Sequence, residues 1–165
     1  MKRKIFIATV LIAFVITGIF AINPGKDDKD NKESASKTAL IESVGETTVI
    51  NLTYDSFKKL VFDYEKNKEW KYEGSKPAII DFYADWCAPC RQLSPIVEEV
   101  AKEYAGKVIV YKVDTQKEQK LAASLGIQSL PTLLFIPAIG KPQASMGAIP
   151  KETLIKAIND VLLVK

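Results

Sequence analysis

Beyond residue 46, short apolar runs alternate along the chain with longer stretches in which apolar side chains recur at helical spacing. The most apolar run, residues 78–84, suits a central strand that is buried on both faces. The alternation predicts an α/β fold with a mixed central sheet of about five strands flanked by about four helices, in the order β-α-β-α-β-α-β-β-α. The predicted strands are 47–52, 78–84, 108–113, 132–136 and 144–146.

Four segments carry the apolar spacing and the end signals of helices. The first is expected to begin at Thr53, a capping residue. Its apolar face is predicted to be Phe57, Leu60, Val61 and Tyr64. The third is expected to begin at a capping box formed by Thr115 and Glu118 and to stop at Gly126. The second and fourth are predicted over residues 93–104 and 151–164.

The first 22 residues have the pattern of an export signal. Three basic residues, Lys2, Arg3 and Lys4, precede 18 residues without charge. This stretch is long for a signal peptide and just reaches the length of a membrane span, and Ile19 is a poor residue near a cleavage site. Residues 1–22 are therefore predicted to be either a cleaved signal peptide or a retained N-terminal membrane anchor. Both alternatives export the rest of the chain.

A polar segment separates this pattern from the predicted fold. Pro24 and Gly25 break any helix, and residues 26–33 are a mixed-charge run that cannot bury enough apolar surface to fold. Residues 23–46 are therefore predicted to be a flexible linker. The length of the chain suits one folded domain, which we expect to span residues 47–165.

Composition and charge exclude several kinds of function. The chain contains no histidine, which excludes His-dependent triads and His-ligated metals. Its two cysteines are too few for a zinc or iron–sulfur site within one chain, so we predict no metal and no cofactor. The net charge of +3 is that of Lys2, Arg3 and Lys4, because the rest of the chain has 20 basic and 20 acidic residues. No nucleic-acid partner is expected.

Cys87 and Cys90 form a C-x-x-C pair between the predicted central strand and the start of a helix. The field of a helix N-terminus favours a thiolate, and a C-x-x-C near a β-α-β pattern is typical of redox proteins. We expect Cys87, exposed at the tip of the turn, to attack a substrate disulfide and Cys90 to resolve the mixed disulfide. The alternatives are an inert structural disulfide, which would close too small a loop to stabilise much, and a zinc site shared by two chains.

Asp81 stands inside the apolar run of the predicted central strand. A carboxylate in such a place is costly unless it is paired or functional. Burial is expected to raise its pKa, so that it exchanges protons near neutral pH. The alternative is a structural Asp that caps the next loop.

Three motifs together resemble those of the thioredoxin family. Residues 81–91 read DFYADWCAPCR and look like the active-site signature, 130–132 read LPT and look like the cis-proline loop, and 146–148 read MGA and look like the glycine segment of the substrate groove. The likeness runs from about residue 48 to residue 163, in the order that the family has. Together with the N-terminal pattern, it resembles the exported, periplasmic thioredoxins of Gram-negative bacteria.

The resemblance implies that Asp81 takes and returns the proton of Cys90 through water, and that Lys112 pairs with Asp81. For Lys112 the alternative is a lysine on a solvated strand face. Pro131 is implied to follow a cis bond, with a trans bond as the alternative. The cis bond would expose the backbone of Leu130 for strand addition by an extended substrate. The implied substrate groove consists of Trp86, Ala88, Pro89, Leu130, Pro131, Met146, Gly147 and Ala148.

The sequence therefore predicts a thiol–disulfide oxidoreductase that reduces exported proteins as a monomer in the periplasm or another extracytoplasmic space. The resemblance implies a membrane thiol-electron transporter as the electron donor. One alternative is a mild oxidase or isomerase, because Ala88 replaces a glycine and Tyr83 a tryptophan that are common in the family. The others are a reductase for cytochrome c maturation and a non-catalytic, thioredoxin-like interaction module.

Overall fold

Five strands form one mixed sheet in the computed structural model, which describes residues 49–162. The strands are β1 (Val49–Asn51), β2 (Ala78–Tyr83), β3 (Ile109–Asp114), β4 (Thr132–Ile136) and β5 (Gln143–Met146). Their spatial order is β1-β3-β2-β4-β5. β3 is parallel to β1 and β2, whereas β4 is antiparallel to β2 and β5. The predicted mixed α/β sheet is confirmed.

The N-terminal predictions, a signal or anchor over residues 1–22 and a linker over 23–46, lie outside the described residues. So do the first two and last three residues of the predicted domain. Within residues 49–162, no helix has both the length and the apolar character that a membrane crossing requires.

The described part of the chain contains four helices, α1 (Tyr54–Leu60), α2 (Ala88–Glu103), α3 (Gln119–Ser124) and α4 (Lys151–Val161). α1 begins where the sequence predicts, because Thr53 and Ser56 form a reciprocal capping box. It ends before the apolar spacing does, so Tyr64 lies beyond the helix. The Tyr64 ring nevertheless packs 6.3 Å from that of Phe57.

The capping box predicted for the third helix is wrong. The N-cap residue of α3 is Glu118, and no side chain caps the helix. Thr115 donates both its N–H and its hydroxyl to the carbonyl oxygen of Tyr83, each at 2.9 Å. The Glu118 carboxylate accepts the N–H of Tyr54 at 2.8 Å. Contacts with the end of β2 and the start of α1 therefore engage the groups that a local capping box would have used.

The core lies on both faces of the sheet, because successive side chains of β2 point to opposite faces. On one face, Ile79 packs with Leu133 of β4 and with Leu93 of α2, and α4 covers the same side. On the other face, Ile80 packs against residues of α1 and α3. By this alternation Asp81 shares the face of Ile79, so a carboxyl group lies beneath α2.

We expect Leu133→Ala to lower the free energy of unfolding by roughly 2–5 kcal/mol, because truncating a fully buried leucine leaves a cavity in a packed core. Ile139→Ala is the matched control, since the Ile139 side chain is 93% exposed; its expected change is below about 0.5 kcal/mol. Denaturant unfolding followed by circular dichroism measures both. Equal losses in the two variants would contradict this assignment of the core.

Candidate active site

The N-terminus of α2 places the two cysteines together. Cys87 is the N-cap residue, and its sulfur accepts a hydrogen bond from the Cys90 N–H at 3.2 Å. Pro89 fits the first turn because the N–H that it lacks would have had no partner within the helix. The two sulfurs are joined in a disulfide of 2.10 Å. Reduction of this bond therefore leaves the Cys87 sulfur beside a backbone donor at the positive end of the helix dipole, which favours its thiolate.

Both cysteines are buried in this disulfide form, which differs from the exposed position expected for Cys87. The exposed fractions are 3% for Cys87 and 2% for Cys90. Both pack with Ala84, and the side chains of Tyr83 and Leu130 cover this small cluster. The bond from the Cys90 N–H to the Cys87 sulfur, and not a difference in exposure, therefore distinguishes the two sulfurs.

The loop between β2 and α2 is held by its neighbours. The backbone N–H of Asp85 donates to the Gln116 side chain at 3.3 Å, and the guanidinium of Arg91 donates to the Asp85 carbonyl oxygen at 3.0 Å. Thr115 binds the end of β2, as described above. These bonds fix the approach of the chain to Cys87.

A second loop completes the site. The Leu130–Pro131 peptide bond is cis, and the Leu130 side chain packs against the cysteine cluster. The Gly147 N–H donates to the Pro131 carbonyl oxygen at 2.8 Å, which joins this loop to the end of β5. Gly147 has a φ of +87°, a conformation that favours glycine. The segments around residues 87, 131 and 147 therefore meet at one end of the sheet.

The residues predicted to form the substrate groove differ in exposure. Trp86 and Met146 are 69% and 74% exposed. Ala88, Pro89 and Ala148 are also exposed, Leu130 and Gly147 are half-buried, and Pro131 is buried. Exposed apolar surface of this kind often marks a binding site for another protein. Pro131 can support that surface but contributes little of it.

A cavity of about 320 Å³ lies beside this surface. Phe62 and Trp70, from the segment before β2, line it together with Leu134 of β4. Met146 lines it as well, so the cavity adjoins the predicted groove. Phe62 and Trp70 belong to no motif of the sequence, and their scattered spacing carries no signal of a shared pocket.

Asp81 is a buried carboxyl group with a perturbed pKa. Its side chain is 1% exposed, and neither carboxyl oxygen has a hydrogen-bond partner among residues 49–162. Burial raises its pKa to about 6, and the nearby charge of Lys112 opposes part of this rise. The group can therefore gain or lose a proton near neutral pH.

Lys112 lies next to Asp81 in the β2–β3 register, yet the described contacts of its ammonium are with other groups. Its Nζ donates to the Ser94 hydroxyl at 3.1 Å, lies 3.9 Å from the Glu98 carboxylate, and lies 4.8 Å from the centre of the Tyr83 ring. The direct pair with Asp81 that the resemblance implied is not formed. The solvated alternative does not fit either, because the Lys112 side chain is 13% exposed. Lys112 acts on Asp81 at a distance, through its charge.

Ser94 and Glu98 lie outside the motifs that the sequence shares with thioredoxins. Both follow Cys90 at intervals of four residues, so all three lie along one face of α2. That spacing was the available signal, but a polar residue at such an interval is common on the surface of a helix. Only the packing of α2 on β3 shows that this face of the helix contacts Lys112, through Ser94.

Comparison with known proteins decides the family. The family model described as Thioredoxin matches residues 48–160. The chain belongs to the thioredoxin family. It is a thioredoxin-type thiol–disulfide oxidoreductase in which Cys87 and Cys90 form the redox-active pair, and its targets are disulfide-containing proteins.

Two relatives illustrate the likeness in sequence. A thioredoxin of Borreliella burgdorferi is 50% identical over 111 residues, which cover 67% of this chain and 95% of the relative. A chloroplastic M-type thioredoxin of Spinacia oleracea is 40% identical over 95 residues, or 58% of this chain and 52% of the relative. The spinach protein is chloroplastic by name, so the likeness supports the family without indicating the periplasm.

Solved structures agree with this fold. A chloroplastic thioredoxin z superposes with a TM-score of 0.59 at 25% identity, covering 70% of this chain and 96% of the other. The Malassezia sympodialis thioredoxin Mala s 13 gives a TM-score of 0.55 at 33% identity, covering 67% and 88%. The predicted thioredoxin fold, a five-stranded mixed sheet with four helices, is confirmed.

Asp81→Asn is expected to stabilise the oxidised protein by about 3 kcal/mol at pH 7.5, because the native carboxylate is charged there and buried without a hydrogen bond. The pKa of Asp81 is about 6 in the folded protein, against 3.8 for an ordinary Asp. Stability of the native protein therefore falls as the pH rises between these two values. Denaturant unfolding at pH 4 and pH 7.5 measures the difference.

Asp85→Asn is the matched control, because Asp85 is exposed in the adjoining loop. It should change stability little at either pH. A gain in Asp81→Asn that is as large at pH 4 as at pH 7.5 would contradict a buried, titrating Asp81.

Proposed function

We propose that this thioredoxin works outside the cytoplasm and reduces disulfides in exported proteins. The N-terminal pattern of three basic residues and 18 uncharged ones supports export. In this proposal, residues 1–22 are a signal or anchor, 23–46 a linker and 47–165 the catalytic domain, which acts as a monomer. The bond from the Cys90 N–H to the Cys87 sulfur is the observation that carries the chemistry.

The first step is attack by the Cys87 thiolate on a substrate disulfide. A new S–S bond forms between Cys87 and one substrate sulfur, and the other substrate sulfur leaves as a thiolate that takes a proton. The helix N-terminus and the Cys90 N–H stabilise the negative charge on Cys87 before attack.

The second step needs a thiolate at Cys90. Asp81, with a pKa of about 6, is proposed to accept the Cys90 proton through water. The Cys90 sulfur then attacks the Cys87 sulfur, so that the Cys87–Cys90 bond forms and the second substrate sulfur leaves as a thiolate, which also takes a proton. The substrate gains two electrons and two protons, and the enzyme is left with the Cys87–Cys90 disulfide that the structure contains.

The reducing direction is favoured by the residues within the active-site turn. Neither Ala88 nor Pro89 adds a side-chain donor or a charge that would stabilise the Cys87 thiolate further. A C-x-x-C protein whose reduced thiolate is strongly stabilised is a strong oxidant. The absence of such extra stabilisation here favours a reductase. No reducing glutathione pool is available outside the cytoplasm to return the electrons. A membrane thiol-electron transporter is therefore proposed as the donor.

Substrates are proposed to bind as an extended strand along the backbone of Leu130, between Trp86 and Met146. The loop of the cis-proline packs against the cysteine pair, so a strand placed there brings its disulfide to Cys87. The exposed apolar side chains on both sides would cover the flanking residues of the substrate.

Cys90→Ala is expected to retain target proteins as mixed disulfides with Cys87, because no second sulfur resolves them. Non-reducing electrophoresis and mass spectrometry of the bound proteins measure this in cells that export the chain. Cys87→Ala is the matched control and is expected to retain none. Proteins with export signals should dominate the Cys90→Ala sample.

Capture of cytoplasmic proteins alone would contradict the proposal. Capture of cytochrome c apoproteins alone would favour the cytochrome-maturation alternative. A function in the cell that survives Cys87→Ala, although disulfide reduction is lost, would favour the interaction-module alternative.

Cell fractionation with thiol alkylation tests compartment and direction together. The protein is expected outside the cytoplasmic fraction with Cys87 and Cys90 mainly reduced, because the electron donor of a reductase keeps its cysteine pair in the reduced form. Recovery in the cytoplasm would contradict export, and an exported but fully oxidised pair would contradict the reducing direction. The mass of the exported protein shows whether residues 1–22 are removed.

A further inference from the structure

The contacts of Lys112 are the unexpected feature of the site. Asp81 and Lys112 are register partners on adjacent parallel strands, and both side chains belong to the face that α2 covers. A buried carboxylate next to an ammonium ordinarily forms an ion pair. Here both carboxyl oxygens of Asp81 lack a hydrogen-bond partner within residues 49–162, while the ammonium donates to Ser94.

We propose that Ser94, assisted by Glu98, is a positioning residue that holds the Lys112 ammonium on α2 and keeps the Asp81 carboxyl group unpaired. The inference rests on the proposed role of Asp81 for its functional meaning. The position of the Lys112 ammonium can be tested without measuring catalytic turnover.

Ser94 is the closest of the groups that hold the ammonium. Its hydroxyl oxygen lies 3.1 Å from Nζ and is half-buried, so water screens this bond only partly. The Glu98 carboxylate is more distant, at 3.9 Å, and its side chain is 57% exposed. The Tyr83 ring lies 4.8 Å from Nζ, within the range of a cation–π contact. Removal of the Ser94 hydroxyl therefore leaves the weaker contacts to compete with Asp81.

Lys112 is the charged group whose position affects the pKa of Asp81. Its register partner on β4, Leu133, is apolar, and so are Leu154 and Ile158, which α4 contributes to this face. The cysteines of α2 do not titrate while they are joined. The titratable and charged groups left on this face of the sheet and on the adjoining face of α2 include Lys112, Tyr83, Asp114 and Glu98. Among them, the charge of Lys112 acts on the pKa of Asp81.

An unpaired Asp81 suits proton transfer better than a paired one. A direct ion pair would hold the carboxylate in its charged form and lower its pKa, which opposes uptake of a proton from Cys90. With the ammonium held away, burial dominates, and the group titrates at a pKa of about 6.

Ser94→Ala tests the proposal through the pKa of Asp81 in the oxidised full chain. The ¹³C shift of the Asp81 side-chain carboxyl is followed by NMR as the pH is changed. The released ammonium is expected to turn towards Asp81 and to lower its pKa by roughly one unit. Ser94→Thr keeps a hydroxyl and is expected to retain the native pKa.

A double-mutant cycle with Lys112→Met shows whether Lys112 carries the effect, with Lys112→Gln as the substitute if that variant does not fold. In a chain without the ammonium, Ser94→Ala is expected to leave the pKa of Asp81 unchanged. An unchanged or raised pKa in Ser94→Ala alone overturns the proposal. An equal shift in the presence and absence of Lys112 overturns it as well.

The pH profile of disulfide reduction separates this inference from the proposed function. If Asp81 is the base, the acidic limb of the profile shifts downward in Ser94→Ala together with the pKa of Asp81. If the pKa moves and the profile does not, the positioning role of Ser94 stands and the role of Asp81 as the base fails.

Discussion

The packing of α2 across one face of the sheet sets the positions of most groups in the site. Leu93 and Val97 anchor the helix in the core, so its first turn meets the end of β2 and brings the cysteine pair against the cis-proline loop. One turn further on, the same helix places Ser94 3.1 Å from the ammonium of Lys112. One buried interface therefore orients both the thiol chemistry and the proton chemistry.

Asp81 is the point at which function opposes stability. It interrupts a strand whose other residues from 78 to 82 are apolar and buried, and its charged form has no hydrogen-bond partner among the described residues. The apolar clusters on both faces of the sheet supply the stability that offsets this cost. Ionisable groups in such unfavourable surroundings are typical of functional sites. The thioredoxin chemistry of the Cys87–Cys90 pair is consistent with that interpretation.

The order of strands and helices could be predicted because each element carries its own periodic signal. The apolar run of residues 78–84 indicated a central strand, and Thr53 indicated the start of α1; both predictions are confirmed. The capping box at Thr115 could not be judged locally, because Tyr83, distant in sequence, binds its hydroxyl. Local signals fail where a long-range contact engages the same group.

The family, the redox pair and the buried carboxyl group can be read from the sequence alone, since the C-x-x-C spacing and an Asp within an apolar strand are local features. What surrounds these groups depends on the tertiary structure. It buries Cys87 as deeply as Cys90 in the disulfide form, and it directs Lys112 to Ser94 and not to Asp81. The physical reason is that side-chain pairing depends on which helix covers which strand, at distances of a few ångströms that no spacing along the chain encodes.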